Sequence, residues 1–400
     1  MKRSKRRSQQ AIVKDDRSAT ALLLKLLAIP GPSGEEAQVA QFLRKQLTAA
    51  GAAVDAFHVD QAHRRSRLRG ETGNLMLRLP GTVRAPRRLF AAHMDTVPIC
   101  VGARPICRGN RIVAADSNTG LGGDDRAGVT VLLTTALAIL RNRLPHPPLS
   151  FLWTVQEEAG LLGARHLRLG MLGRPRLAFN WDGGSPHRLT IGATGGYRMS
   201  IEVQGIASHA GGHPEQGVSA IAIASLAIAN LVEEGWHGLI EKGRRRGTSN
   251  VGVIEGGAAT NVVANQVQIR AEARSHDPRF RQRIVQQIER AFHQAAGQVK
   301  NSAGRSGRVK ITGGLDYESF RLSQSDPSVQ AAAAAVAAEG GQAEYTIANG
   351  GLDANWLSAR GIPTVSLGCG QDQIHTVNEQ LHLDQFHQAR RIALRLATDV

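Results

Sequence analysis

Acidic and histidine residues follow several short apolar runs of this sequence. They are His93, Asp95, Asp124, Asp125, Glu157, Glu158, Asp182 and His375. In an open α/β sheet the carboxyl ends of the strands line one crevice, so these side chains can meet there. Acids clustered in this way repel one another unless cations neutralise them. Imidazole and carboxylate donors without a thiolate suit zinc or a similar divalent ion in a catalytic site.

Each of these residues alone has an ordinary structural explanation. An aspartate at a strand end is commonly a helix cap or a turn residue. The adjacent acids Glu157 and Glu158 could begin a solvated helix, where the helix dipole favours them. A single histidine among 14 carries little information. The specific signal is therefore the ordered set, and not any one member of it.

The elements that must position these residues alternate between apolar runs and helical patterns from residue 19 to about 191. An alternating strand is predicted at 74–79, and buried strands are predicted at 88–93, 149–155 and 177–181. Helices are predicted at 35–50, with a start near Ser33, and at 127–140. Strands separated by helices indicate an α/β fold with a mostly parallel sheet flanked by helices.

The pattern changes near Gly192. From there the predicted order is strand, helix, strand, strand, helix, strand, which is a split βαβ (ferredoxin-like) α+β arrangement. The α/β pattern then resumes and ends with a helix from about Leu383. We therefore expect four segments: a basic, disordered tail (1–17), a first catalytic part (18–193), an inserted lid domain (194–318) and a second catalytic part (319–400).

The composition argues against several classes of protein. The net charge of +16 could attract nucleic acid, but only 4% of residues are aromatic and no nucleic-acid motif is present. The longest apolar stretch, 129–140, is shorter than the about 20 residues of a transmembrane helix. Asp15, Asp16 and Lys25 interrupt the N-terminal apolar segment, which favours an amphipathic helix over an export signal. Three cysteines are too few for a disulfide framework and indicate a reducing, cytoplasmic setting.

The ordered set closely resembles the M20 metallopeptidase family, and within it the peptidase T-like (tripeptidase-like) branch. The resemblance extends from about Leu22 to Leu383. The motifs that carry it are HMDTVP (93–98), GGDDRAG (122–128), QEEAGLLGA (156–164), WDGG (181–184), SHAGGHPEQGVSAI (208–221), TNVVAN (260–265), AEARS (271–275), GGLDANWL (350–357) and IHT (374–376). One departure is Arg126, where lysine is common in the family, and it keeps the positive charge.

The resemblance implies a zinc-peptidase-like catalytic domain with two divalent metal ions. Zn²⁺ is the first expectation for their identity, and Co²⁺ and Mn²⁺ are the alternatives. One ion would take His93, Asp124 and Asp182. The other would take Asp124, Glu158 and His375, so that Asp124 bridges the two. These assignments stand on the family pattern and not on spacing alone.

The resemblance also assigns two residues beside the ligands. Asp95 would accept the second ring N–H of His93 and fix its tautomer. Glu157 would be the general base that activates a water molecule bridging the metals. A carboxylate in this role takes a proton from the water and later delivers it to the leaving amine.

The remaining assignments concern the substrate. His209 would reach the site of a neighbouring subunit and stabilise the oxyanion, which implies a homodimer through the lid domain. Asn261 and Arg274 would hold the carbonyl or carboxylate end of the substrate, for which an arginine fork is well suited. Asp353 would either contact the substrate amine or cap its loop.

The function implied is a metal-dependent aminopeptidase that acts on short peptides, as a tripeptidase does. A dipeptidase, a carboxypeptidase and an N-acyl-amino-acid deacylase are alternatives within the same family. A noncatalytic binding protein on the same scaffold is a further alternative, but every expected ligand and Glu157 are present. The sequence lacks the G-x-S-x-G motif of serine hydrolases and the Gly-Lys-Ser/Thr of a phosphate-binding loop.

Overall fold

The computed structural model describes the backbone of residues 2–399 and the side chains of residues 15–399. The chain divides into two compact units. The larger unit contains the residues up to Gly192, Arg321–Ala348 and the residues from Leu352 onward. The smaller unit contains Ala193–Phe320 and Asn349–Gly351. Its long segment covers the stretch in which the sequence predicts an inserted domain.

Helices and strands alternate through most of the chain. The α-helices of the described residues are α1 Lys2–Leu27, α2 Ala37–Ala49, α3 Ala62–Arg65, α4 Gly123–Asn142, α5 Leu162–His166, α6 Ala220–Glu233, α7 Pro278–Gln298, α8 Pro327–Ala338, α9 Ala354–Ala359 and α10 Leu383–Thr398. Short 3₁₀ turns lie at Val54–Ala56, Pro98–Cys100, Leu169–Leu172 and Pro214–Gln216. The strands are β1 Phe57–Val59, β2 Leu75–Leu79, β3 Arg88–His93, β4 Pro105–Arg108, β5 Arg111–Ala114, β6 Leu149–Thr154, β7 Leu177–Trp181, β8 Arg188–Ala193, β9 Gly195–Gln204, β10 Gly238–Lys242, β11 Arg245–Gly256, β12 Gln266–Ser275, β13 Arg308–Tyr317, β14 Phe320–Arg321, β15 Glu344–Ala348, β16 Thr364–Leu367, β17 Gln371–Asp372 and β18 Gln380–His382.

The main sheet of the larger unit has a parallel centre and antiparallel edges. Its strand order is β1-β2-β6-β3-β7-β16-β8-β14, and β15 also pairs with β8. The pairs β6–β3, β3–β7 and β7–β16 are parallel, whereas β1–β2, β2–β6 and β16–β8 are antiparallel. A second sheet has the order β17-β18-β5-β4. The predicted α/β fold with a mostly parallel sheet is confirmed.

The central strand β3 is buried on both faces. Phe90 and Ala92 join the core cluster that contains residues of α1, α2, α4, α8 and α10. Leu89 and Ala91 alternate with them and join a second cluster on the other face, which includes Leu357 of α9. Alternate side chains of a strand point to opposite faces, so helices must cover both faces of this sheet.

The first helix begins earlier than the sequence predicts. The predicted basic tail covers residues 1–17, whereas α1 spans Lys2–Leu27. The side chains of residues 1–14 lie outside the described part of the structure. Asp15 and Asp16, at the end of the predicted tail, form ion pairs of 2.5 and 2.8 Å with Arg390 of α10. These two residues therefore contact α10 within the larger unit.

The smaller unit has one strand more than the predicted split βαβ pattern. Its antiparallel sheet has the order β10-β11-β12-β9-β13, and the extra strand is β10. The helices α6 and α7 pack on one face of the sheet through a core that includes Ile201, Ile223 and Ile284. Asp277 caps α7 by accepting hydrogen bonds from the N–H groups of Arg279 and Phe280 at 2.8 and 3.2 Å.

Among the described residues, no helix combines the length and the apolar character that crossing a bilayer requires. This agrees with the apolar stretches of the sequence, which are all short.

Candidate metal centre

Three adjacent parallel strands bring predicted ligands to one edge of the main sheet. The strand β3 lies between β6 and β7. His93 is the last residue of β3, Glu157 and Glu158 follow β6, and Asp182 follows β7. Because parallel strands end at the same edge, the side chains converge there as the apolar runs of the sequence indicate.

The fourth predicted ligand, Asp124, does not follow a strand. It lies in the first turn of α4. Its φ and ψ of −80° and 104° are not helical, so the turn is kinked where the side chain enters the site. Gly122 precedes it with a φ of +78°, a conformation that favours glycine. Gly128 lets α4 approach β7 closely, since a Cβ there would lie 2.2 Å from the carbonyl oxygen of Trp181.

Asp124 lies between the two predicted histidine ligands. Its Oδ1 is 3.1 Å from Nε2 of His93, and its Oδ2 is 3.2 Å from Nε2 of His375. The same nitrogen of His375 is 2.8 Å from Oε1 of Glu158. Each oxygen of Asp124 thus faces a different imidazole, which is the arrangement that a carboxylate shared between two ions needs.

The other donor atoms are close to this core. The three groups His93–Asp124–Glu158, His93–Glu157–Asp182 and Asp124–Asp125–Asp182 each have donor atoms within 4.8 Å of one another. Every predicted ligand except His375 appears in these groups, and His375 contacts Asp124 and Glu158 directly. The structure therefore brings all five predicted ligands and Glu157 together.

The electrostatics of the site favour bound cations. Burial, together with the neighbouring carboxylates of Asp124 and Glu158, raises the pKa of Asp182 to about 8. Burial also raises the pKa of Glu157 well above its ordinary range. Hydrogen bonds with Asp124 and Glu158 raise the pKa of His375 to about 10. These raised pKa values mean that several carboxylates crowded together favour added positive charge, which a pair of divalent ions could supply in place of protons, and the mixed imidazole and carboxylate donors fit such ions.

The role of Asp95 differs from the prediction. Nδ1 of His93 lies 3.0 Å from the backbone carbonyl oxygen of Asp95, while the Asp95 carboxylate is 3.5 Å away. The strand ends at His93, so the side chains of His93 and Asp95 do not continue a strand alternation. The carboxylate instead accepts hydrogen bonds from the backbone N–H groups of Glu157 and Glu158 at 2.9 and 3.1 Å. Asp95 therefore fixes His93 through its carbonyl and the Glu157 loop through its carboxylate.

The sequence predicts that the second helix starts near Ser33. In the structure Ser33 does not cap this helix, and its hydroxyl has a different partner. Its hydroxyl donates a 2.6 Å hydrogen bond to Oδ2 of Asp95. The helix α2 has Glu36 at its N-cap position, without a side-chain capping bond. The predicted helix-start residue is thus part of the support beneath the metal centre.

Comparison with known proteins agrees with the geometry of the candidate metal centre. The profile described as peptidase family M20/M25/M40 matches residues 89–399. The uncharacterized protein YqjE of Bacillus subtilis is 33% identical over 364 residues, which cover 90% of this chain and 92% of that protein.

The chain belongs to the M20 family of peptidases.

Two solved structures of similar proteins agree with this family. A tripeptidase from Staphylococcus aureus has a TM-score of 0.86 at 28% identity, covering 96% of this chain and 98% of that chain. The aminopeptidase PepT from Bacillus cereus has a TM-score of 0.83 at 29% identity, with the same coverage of both chains. With the cluster of metal-binding side chains, family membership makes this protein a metal-dependent peptide hydrolase.

Two buried acids of this peptidase have supporting contacts that the sequence analysis missed. Oε1 of Glu36 accepts a 3.0 Å hydrogen bond from the backbone N–H of Gln156, next to Glu157. The carboxylate of Glu379 accepts hydrogen bonds from the loop that carries Asp124. Glu36 lies beside Ser33 and Glu379 lies four residues after His375, so both are near recognised motifs. Their roles depend on long-range backbone contacts, for which local sequence gives no signal.

His209 and Asn261 of the peptidase lie together in the smaller unit. The backbone N–H of Ala210 donates a 2.9 Å hydrogen bond to the carbonyl of Asn261, and His209 pairs with Val262 in an isolated β-bridge. Nδ1 of His209 accepts hydrogen bonds from the N–H groups that follow it, at 3.2 and 2.8 Å. In the neutral ring the proton is then on Nε2, which leaves this nitrogen as a donor. The His209 side chain is exposed.

Arg274 has a partner that the sequence analysis did not anticipate. Its Nε and Nη2 donate hydrogen bonds of 2.9 and 3.0 Å to the two carboxylate oxygens of Glu272. The two residues are two apart on β12, so their side chains share one face of the strand. A substrate carboxylate would have to compete with Glu272 for this guanidinium.

Asp353 is buried and does not cap its helix. It occupies the N-cap position of α9 without a side-chain capping bond, and Thr154 at the end of β6 donates a hydrogen bond to its Oδ2. Burial raises the pKa of Asp353 to about 6. Its Oδ1 has no hydrogen-bond partner among the described residues. The Asp353 side chain thus does not cap α9, and its contact with a substrate amine stays a prediction.

Proposed function

We propose that this peptidase is a dinuclear aminopeptidase that removes single residues from short peptides, with tripeptides as the preferred class. The observation that carries the proposal is the placement of Asp124, whose two oxygens face His93 and His375. The tripeptidase of Staphylococcus aureus and the aminopeptidase PepT of Bacillus cereus support the substrate class.

The proposed ligands form two sets that share Asp124. One ion would be held by His93, Asp124 and Asp182, and the other by Asp124, Glu158 and His375. Two divalent ions bound there would polarise the scissile carbonyl and increase the acidity of water. Zn²⁺ is the proposed metal, since imidazole with carboxylate is a common zinc donor set.

Glu157 would move the proton in this reaction. It lies with His93 and Asp182 in a group whose donor atoms are within 4.8 Å of one another, yet it is not one of the proposed ligands. A carboxylate in this position would take a proton from the attacking water and donate it to the leaving amine. Burial raises the pKa of Glu157, so this carboxyl holds a proton more readily than an exposed glutamate does. Asp95 orients Glu157 by holding its backbone N–H.

The remaining proposed roles concern the substrate. We propose that His209 reaches the site of a neighbouring subunit and stabilises the oxyanion there, a role for which its donor Nε2 is suited. Asn261 and Arg274 would bind the carbonyl or carboxylate end of the substrate. Arg274 would exchange its hydrogen bonds with Glu272 for hydrogen bonds with the substrate. Asp353 would bind the substrate amine, since its Oδ1 lacks a partner among the described residues.

A substrate panel tests which terminus must be free. The panel compares one tripeptide in free, N-acetylated and C-amidated forms with a dipeptide and with N-acyl amino acids. We expect the free tripeptide to be cleaved best and acetylation to abolish cleavage, with the N-terminal residue as the first product detected by mass spectrometry. Cleavage of N-acyl amino acids but not of free tripeptides would favour the deacylase alternative instead. Release of the C-terminal residue would indicate a carboxypeptidase.

We also propose a homodimer formed through the smaller unit. Several apolar side chains of this unit are exposed, among them Val232 of α6 and Leu239 of β10, at 58% and 57%. Because β10 is an edge strand, its outer side is open to another chain. Light scattering on a sizing column is expected to give twice the 42.8 kDa of one chain. Leu239→Glu should shift the protein to the monomer mass, and a monomeric wild type would contradict the proposal.

A cytoplasmic location is proposed on the basis of the cysteines. Cys100, Cys107 and Cys369 are all free thiols in the structure. Free thiols are typical of a reducing compartment. Fractionation of cells that produce the protein would test this location.

A further inference from the structure

The carboxylate of Glu379 is buried against the loop that carries Asp124. Its Oε2 accepts hydrogen bonds from the backbone N–H groups of Leu121 and Gly122 at 2.9 and 2.7 Å. Its Oε1 accepts a 3.0 Å hydrogen bond from the N–H of Asp124 itself. The residue is only 2% exposed. One side chain therefore holds three backbone groups at or next to the proposed bridging ligand.

These contacts replace a local cap of α4. The N-cap residue of α4 is Gly122, which has no side chain to accept a hydrogen bond. The first N–H groups of a helix lack partners within the helix and must find acceptors elsewhere. A carboxylate is a good acceptor at this positive end of the helix dipole. Glu379, 255 residues away from Asp124, supplies this acceptor.

Glu379 is also tied to the second histidine. It follows His375 by four residues, and its backbone N–H donates a 3.3 Å hydrogen bond to the carbonyl of Thr376. This hydrogen bond closes the turn from Thr376 to Glu379, which directly follows His375. Through its backbone Glu379 contacts the His375 turn, and through its side chain it contacts the Asp124 loop.

We propose that Glu379 is a positioning residue that sets the placement of Asp124 relative to His375 and thereby the affinity for the shared ions. This role rests on the proposed dinuclear site. It does not require Glu379 to touch metal or substrate. Among the described residues, no carboxylate other than that of Glu379 accepts a hydrogen bond from the N–H of Asp124.

An amide in place of the carboxylate would not preserve these contacts. Both oxygens of Glu379 accept hydrogen bonds from N–H groups. A glutamine has one acceptor oxygen, and its NH₂ group would face an N–H donor on the other side. Glu379→Gln is nearly isosteric, so it removes one set of hydrogen bonds without leaving a large cavity. Glu379→Asp keeps both acceptors on a shorter side chain.

The test measures metal affinity in wild type, Glu379→Gln and Glu379→Asp. The matched control is Glu339→Gln. Both carboxylate oxygens of Glu339 also accept hydrogen bonds, in this case from the guanidinium groups of Arg391 and Arg395. Zn²⁺ affinity is measured by competition with a chelating dye, and Co²⁺ absorption spectra report the ligand geometry. We expect Glu379→Gln to bind about 10-fold more weakly or worse, as outer partners of metal ligands typically do when replaced. The control should bind like wild type.

The outcomes separate this role from the proposed function. Equal affinities and Co²⁺ spectra for wild type and Glu379→Gln would overturn the positioning role alone, even if the variant melts at a lower temperature. Absence of divalent-ion binding in wild type would overturn the dinuclear site and this role together. Should Glu379→Gln not fold, Glu379→Asp gives the comparison, with an expected loss of a few-fold and an altered Co²⁺ spectrum. Wild-type affinity in that variant would then count against the role.

Discussion

Replacement of Glu157 by glutamine is expected to lower kcat for tripeptide hydrolysis by about 10³-fold, since general acid–base groups contribute 10²–10⁴-fold. The amide cannot take a proton from water at neutral pH. It can keep the backbone hydrogen bond to Asp95, because that bond comes from the N–H of residue 157. Initial rates on a free tripeptide, with metal content measured by mass spectrometry, provide the test.

Metal content distinguishes a lost base from a lost ligand. We expect Glu157→Gln to retain two ions per chain with unchanged KM to within a few-fold. Glu35→Gln is the matched control, because Glu35 is an exposed glutamate to which no role in the site is assigned. Turnover within 10-fold of wild type in Glu157→Gln would remove Glu157 from the role of base.

Asp124→Asn is expected to hold at most one ion per chain and to lose activity by about 10³-fold or more. An asparagine offers one oxygen where the carboxylate has two, so it can serve only one of the two histidine sides. In the structure the two oxygens of Asp124 lie 3.1 and 3.2 Å from Nε2 of His93 and His375. The ion count is measured by mass spectrometry after dialysis against buffer with trace Zn²⁺.

The matched control for Asp124 is Asp55→Asn, since Asp55 is exposed in a short 3₁₀ turn. This variant should keep two ions and wild-type rates. Two tightly held ions in Asp124→Asn would mean that another group bridges them, for example Asp182. Such a result would require a new assignment of the ligands.

The sequence predicts the parts of this fold that depend on local pattern. The bounds of β3 and β7 are predicted without error, because buried central strands are continuous apolar runs with polar residues directly after them. The same polar residues are the predicted ligands, so the pattern that locates the strands also locates His93 and Asp182. The order of the strands then brings them together.

Features that depend on distant contacts could not be predicted in this way. The strand β10 lies beside a basic turn and has few buried residues, so its pattern resembles a loop. The pairing of Arg274 with Glu272 and the bond between Ser33 and Asp95 are choices among several possible partners. Tertiary packing decides such choices, and no periodicity in the sequence records them.

The backbone anchoring of the ligand loops has a consequence for engineering. Backbone N–H groups of the ligand loops donate hydrogen bonds to the carboxylates of Glu36, Asp95 and Glu379. Every amino acid except proline has such an N–H group. A mutant library aimed at new specificity can therefore vary the other side chains of these loops, proline excepted, while it keeps the proposed ligands, Glu157 and the two residues of positive φ, Gly122 and Gln156. The three acids that accept these hydrogen bonds do not cleave the substrate themselves, yet such a library should leave them constant as well.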